Sequence, residues 1–235
     1  MPERVRALRA RVAAAAASAG RNVDSVTLLA VSKGQPAERV RAAAAAGLAD
    51  VGESYLTEAL GKMEGLADLP LAWHFIGRLQ ANKTRQVAER FAWVHGLDRL
   101  KIAERLSAQR PFHSPPLNVC IQVNLAGEAG KGGVPAAQVP GLAAAVAALP
   151  RLALRGLMCL PPEETAPDRQ RHWFAGLRAL RDSLNAGGLR LDTLSMGMSG
   201  DFEAAIQEGA TIVRIGTALF GPRPGKAPPG TIPGP

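Results

Sequence analysis

The sequence predicts an α/β fold: a single closed (β/α)8 TIM barrel with one extra helix ahead of it. Two observations carry this. Strand-like and helix-like segments alternate from residue 26 onward, which argues for a parallel sheet with helices outside. Eight candidate strands also fit into a chain of 235 residues, and their starts recur at roughly 18 to 40 residues, bracketing the length of a βα unit. So many units in so short a chain favour closure into a barrel over an open, doubly wound sheet.

Taken in order, the opening stretch from Arg4 to Gly20 is rich in Arg and Ala. Its apolar positions Val5, Leu8 and Val12 follow helical spacing, and the run leads straight into the first strand. It reads as a helix covering one end of the domain, not as a transit peptide. The strands are expected at 26–32, 50–53, 73–77, 92–96, 117–124, 152–160, 192–196 and 211–216. Helical patterns between them include 37–46, 83–90, 99–110, 136–149, 169–184 and 202–208. Residues 1–221 are therefore read as one domain. The Pro- and Gly-rich stretch 222–235 reads as a flexible tail with no second domain after the eighth strand.

Composition narrows the function classes. Hydrophobic residues make up 47% and mean hydropathy is +0.01, enough for a sizeable core and against global disorder. The formal charge of +8 raises the question of nucleic acid. The cations, however, are mostly arginines scattered singly along helices, with no run and no aromatic interleaving, so a solvated surface is the better reading. A pocket for an anionic small molecule also fits the sign. Cys120 and Cys159 lie in apolar strand-like runs without metal-ligand spacing and read as buried thiols of a reducing compartment. No apolar stretch reaches the roughly 18 residues of a membrane span.

The chemistry starts at Lys33, which closes the apolar run Val26 to Ser32. Most lysines at strand ends carry their charge out to water. One held in a low-dielectric pocket instead loses its proton readily and condenses with aldehydes. In a barrel the active face lies at the carboxyl ends of the strands, with phosphate commonly held after strands seven and eight. Here those loops are Ser195 to Asp201 and Arg214 to Gly221, both supplying small residues, backbone N–H groups and hydroxyls. Together with Lys33 they point to a phosphorylated aldehyde. Arg214 alternates to the opposite face from Val213 and Ile215; a core salt bridge and a ligand contact are equally open for it. His74 and His95 lie near strand ends and read first as structural histidines. The loop Gly127 to Gly133 fails the P-loop pattern and reads as a mobile loop over the mouth, with Lys131 solvated.

Several segments then resemble one family: Ala30-Val31-Ser32-Lys33, Gly52-Glu53-Ser54-Tyr55, Trp73 to Gly77 with Leu79 to Lys83, Val123-Asn124, Gly156-Leu157-Met158, Leu194 to Ser199 and Val213 to Gly221. In this order they resemble the pyridoxal-5′-phosphate (PLP) homeostasis proteins, the YggS/PROSC-type PLP-binding proteins. The resemblance implies a barrel like the N-terminal domain of alanine racemase, with Lys33 holding PLP as a Schiff base. It implies Ser199, Gly216 and Thr217 at the phosphate, Arg214 facing the pyridine nitrogen, and Ser54 and Met198 beside the cofactor. Arginine there keeps the ring nitrogen unprotonated and weakens it as an electron sink. Ser54 departs from the family, which usually has asparagine at that position; a polar contact is lost there or carried by water.

The implied role is a cytoplasmic, monomeric carrier of PLP that supplies apo-enzymes. A PLP-dependent amino-acid racemase is the second reading. Racemization on this fold needs a second acid/base, a tyrosine from an additional domain, whereas this chain has one tyrosine, Tyr55, and no such domain is expected. A Schiff-base phosphosugar aldolase is the third.

Overall fold

The computed structural model describes residues 1–128, 130 and 132–223. Nine strands are present among the described residues: β1 (Thr27–Val31), β2 (Asp50–Glu53), β3 (Ala72–Phe75), β4 (Trp93–Leu97), β5 (Leu117–Asn124), β6 (Val134–Pro135), β7 (Leu152–Cys159), β8 (Thr193–Ser195) and β9 (Ile212–Ile215). Eight of them close a parallel barrel in chain order, with β1 paired to β9 and β4 to β5; the short β6 adds only to β5. All eight expected strands are found, and β6 is the one not anticipated. Two residues of Val-Pro carry too little periodicity to read.

Parallel strands covered on both sides read as continuous apolar runs. In β5, Val119, Cys120 and Ile121 are each fully buried. Both cysteines are free, and burial pushes each thiol up to about 12, so they behave as small apolar fillers. The outer ring comprises α2 (Ala37–Ala45), α3 (Leu56–Gly65), α4 (Thr84–Arg90), α5 (Leu100–Gln109), α6 (Val139–Ala147), α7 (Pro167–Ala186), α8 (Phe202–Gln207) and α9 (Thr217–Phe220). In α7, Pro167 opens the first turn and Gly187 follows the last, the usual asymmetry of helix ends.

The N-terminal helix α1 (Pro2–Ser18) buries Val5, Leu8 and Val12 as its spacing predicts. It does not cover an end of the barrel. It packs on the flank against α2, α8 and α9, and Arg4 donates to the Leu219 carbonyl at 3.4 Å while Arg9 donates to that of Gly47 at 2.8 Å. The reason is geometric: four residues of α9 cannot cover the seam between β9 and β1, so the first helix fills it.

Register decides which side chains enter the barrel. Leu29 pairs with Arg214, and Gly52 with both Val31 and His74. With a period of two, Leu29, Val31 and Lys33 face inward while Ser32 and Glu53 face the helices. Two glycines shape the upper face. A Cβ at Gly77 would overlap the Ser54 carbonyl, so the loops after β2 and β3 touch only because it is absent. Gly197 has φ of +92°, and a Cβ there would meet Ala205 at 2.6 Å.

Candidate functional site

A cavity of about 1310 Å³ opens at the carboxyl ends of the strands. Lys33, Ser54, Met198, Ser199, Arg214, Gly216 and Thr217, the seven residues singled out from sequence, all line it. Tyr55 stands at its rim, 64% exposed. The size exceeds what one small ligand of ordinary dimensions fills.

Lys33 is partly buried and makes no hydrogen bond or ion pair among the described residues. Burial pulls its ammonium below the ordinary lysine range; the charges of Arg223 and Arg214 add to this, and Glu53 opposes it. The backbone on either side of Lys33 is clamped. Lys62 Nζ donates to the Ser32 carbonyl at 2.6 Å, and the Gly34 N–H donates to Glu58 Oε1 at 2.6 Å. Lys62 itself is buried on α3, bonded to Glu53 Oε1 and Glu58 Oε1 at 2.6 Å each. Ser32 Oγ donates to the same Glu53 oxygen at 2.5 Å. Burial still holds the Glu53 carboxyl above its ordinary range, against the pull of Lys62 and Ser32. Two lysines thus lie near the end of β1, and only one amine is unengaged. Glu53, Glu58 and Lys62 were missed from sequence; the Glu58–Lys62 spacing of i, i+4 was the available sign.

Arg214 is 4% exposed. Its partners are neutral oxygens: Nη1 donates to Ser195 O at 2.6 Å and Ser195 Oγ at 2.9 Å, and Nη2 to Cys159 O at 2.8 Å. The core salt bridge left open by the sequence is therefore not formed. A guanidinium carries five N–H donors, so Nε–H and one Nη2 hydrogen remain for whatever occupies the cavity. Across from it, Ser199 Oγ accepts the Ala218 N–H at 3.2 Å, tying the two loops after β8 and β9 together. Asp201 Oδ1 accepts the Met198 N–H at 2.5 Å and fixes the first of them.

His74 and His95 are buried and hydrogen-bonded, as the structural reading of each expects, and neither lines the cavity. They meet inside the barrel, His74 Nδ1 lying 3.0 Å from His95 Nε2. In the loop after β5, Gly132 lines the cavity and its carbonyl accepts from Gln122 Nε2 at 2.8 Å; Lys131, like residues 224–235 of the expected tail, lies outside the described residues. Arg223, read from sequence as part of that tail, lines the cavity beside Gly34.

Residues 4–224 match the family model described as alanine racemase, N-terminal domain. The curated pyridoxal phosphate homeostasis protein of Pseudomonas aeruginosa is 60% identical over 226 residues, covering 96% of this chain and 97% of that one. This chain belongs to the pyridoxal phosphate homeostasis protein family. The Escherichia coli member is 48% identical over 219 residues, covering 92% and 94%. PipY of Synechococcus elongatus, a structure solved with PLP bound, superposes with a TM-score of 0.84 at 37% identity, covering 94% of this chain and 99% of that one. Alanine racemase from Corynebacterium glutamicum shares the fold at a TM-score of 0.66 and 20% identity, this chain spanning 61% of its length. Among the described residues no helix is long and apolar enough to cross a membrane.

Proposed function

We propose that this chain binds PLP in the upper cavity, covalently through Lys33, and serves PLP homeostasis as a carrier. The observation that supports it most is the half-buried Lys33 amine, without a partner among the described residues, sharing one cavity with the Ser199 and Thr217 hydroxyls and a buried arginine. The donor set fits the group: an aldehyde takes the amine, a phosphate takes the Ser199 and Thr217 hydroxyls with nearby backbone N–H, and a ring nitrogen takes an N–H of Arg214. Bound there, PLP supplies an aldehyde that condenses reversibly with primary amines.

The rest belongs to the protein's own residues. Lys62, Glu53 and Glu58 hold the end of β1 so that Lys33 faces inward. Low polarity and two neighbouring guanidinium charges pull the Lys33 ammonium below its ordinary range, which favours the neutral amine. Ser54, shorter than the family's usual asparagine, makes no hydrogen bond among the described residues and leaves room for water beside the ligand. The homologues' names favour this role over an amino-acid racemase or a phosphosugar aldolase. The proposal extends to a monomeric carrier in the cytoplasm delivering PLP to apo-enzymes.

The test is to incubate the protein with PLP, record its absorption, reduce with borohydride and map the adduct by peptide mass. The expected result is a yellow protein with the pyridoxyl mass on Lys33, and no such adduct in a folded Lys33→Ala variant. A colourless protein, or an adduct of equal occupancy in Lys33→Ala, overturns the assignment.

A further inference from the structure

A hydrogen-bonded chain runs through the barrel interior from the cavity to the opposite end. Arg214 Nη1 donates to Ser195 Oγ at 2.9 Å, and that oxygen lies 2.7 Å from His95 Nδ1. His95 Nε2 lies 3.0 Å from His74 Nδ1, and His74 Nε2 lies 3.0 Å from Asp50 Oδ1. Ser195, His95 and His74 are at most 1% exposed. Asp50, at the start of β2, reaches solvent with a side chain 34% exposed. Trp93 stacks on His74 with ring centroids 5.5 Å apart and an interplanar angle of 5°, which fixes the imidazole plane.

The ends of this chain determine its direction. A guanidinium can only donate and a carboxylate can only accept. Arg214 fills one lone pair of Ser195 Oγ, leaving the hydroxyl hydrogen for His95 Nδ1. His95 then carries its proton on Nε2 and donates to His74 Nδ1, and His74 carries its own on Nε2 and donates to Asp50. The reverse order would set a bare His74 Nε2 against a carboxylate and leave the Ser195 hydrogen without an acceptor. Protonating both histidines would set N–H against N–H at 3.0 Å. Burial holds both below the ordinary histidine range, with the His74 and Arg214 charges lowering His95 further and Asp50 opposing at His74.

We propose that Asp50, His74, His95 and Ser195 are positioning residues for Arg214, linking a buried guanidinium to a distant carboxylate through one fixed tautomer of each histidine. The guanidinium is thereby held to β7 and β8 with its remaining N–H groups turned to the ligand, so it presents only donors. Resting on the PLP reading above, this selects a ligand whose ring nitrogen is an unprotonated acceptor. Asp50 does not line the cavity, so it touches no ligand there, and the hydrogen-bonded chain connects it to Arg214.

Long-range 1H–15N correlation spectra of the apo protein give the tautomer of each histidine without any cofactor. Two of the four histidines should be locked as Nε2–H. Asp50→Ala should release that lock, and Asp50→Asn, whose amide oxygen still accepts, should keep it. After loading with PLP, Asp50→Ala should shift the absorption band and weaken binding severalfold, with Asp50→Asn close to the parent. An Nδ1–H tautomer at either buried histidine, or an unchanged spectrum and affinity in Asp50→Ala, overturns the proposal. Locked tautomers in a parent protein that takes up no PLP would uphold the chain and overturn the ligand it serves.

Discussion

The two ends of the barrel interior solve the same problem in opposite ways. At the amino ends of the strands, the polar groups are paired with one another. Arg155 grips Asp192 through Nε and Nη2, donates to Asn118 Oδ1 at 3.0 Å, and lies 5.2 Å over the Trp93 ring. At the carboxyl ends, Lys33 has no partner among the described residues, Arg214 keeps unused donors, and the wall opens into a large cavity. Buried polar groups are ordinarily satisfied within the fold. The end where that rule is left incomplete is the end shaped for a ligand.

The sharpest way to break this contrast lies just outside the barrel wall. Lys62 is a buried cation of the upper face that the fold itself engages, with Glu53 at 0% exposure beside it. Lys62→Met leaves that carboxylate in the interior without its ion-pair partner, with only the Ser32 hydroxyl still donating to it, and is expected to cost about 3 kcal/mol in urea unfolding. The double variant Glu53→Gln with Lys62→Met should recover most of the loss. If the single change costs nothing, the pair is not what holds the end of β1.

The interior histidines give a pH signature. Both are held below the ordinary value of 6.5 in the folded chain, so the unfolded chain takes up their protons first as pH falls. Stability is then full above pH 6.5 and declines toward about pH 5, by up to about 1.4 kcal/mol per unit for each histidine. Glu53, held above its ordinary range, works in the other direction over the lower part of this window. Urea midpoints measured across this range should fall with acidity; a flat profile would mean the folded chain takes up protons as readily as the unfolded one.

The smallest effects are paired. Thr217→Val at the upper end should lower PLP affinity about tenfold by removing a hydrogen bond to a charged group, with little change in melting temperature. Arg155→Ala at the lower end should do the reverse. Its pair with Asp192 is partly solvated, so the loss is about 1 kcal/mol, with PLP affinity unchanged. If the two variants trade phenotypes, the division between the ends is wrong.

Much of this was legible in the chain. Alternation of strand and helix patterns gave the barrel, and period two within β9 set Arg214 on the face opposite Val213 and Ile215. All seven expected site residues reached one cavity because the upper face gathers the ends of strands distant in sequence. What stayed hidden depended on contacts across the barrel. Each histidine looked structural when read alone, since nothing in β3 or β4 reveals that the two rings meet. Lys62 sits on a helix where a lysine usually reads as solvated, and its burial arises only because Glu53 faces outward behind it. Arg223 lay in a Pro- and Gly-rich segment whose composition says nothing about packing against Gly34. The flank position of α1 followed from the shortness of α9, which no pattern within α1 could show.

The pairing of β1 with β9 also bears on how the protein comes into being on the ribosome. The first strand of the barrel has no neighbour on one side until the last has been synthesised, and the apolar face of α1 has no helices α8 and α9 to rest on. Pairings so far apart in the chain form late. Lys33 emerges early, while Ser199, Arg214 and Thr217 emerge only after all but the last of the barrel strands. The nascent chain therefore displays a lysine long before it owns a pocket, and a ligand that needs the upper cavity has to await the synthesis and docking of β9.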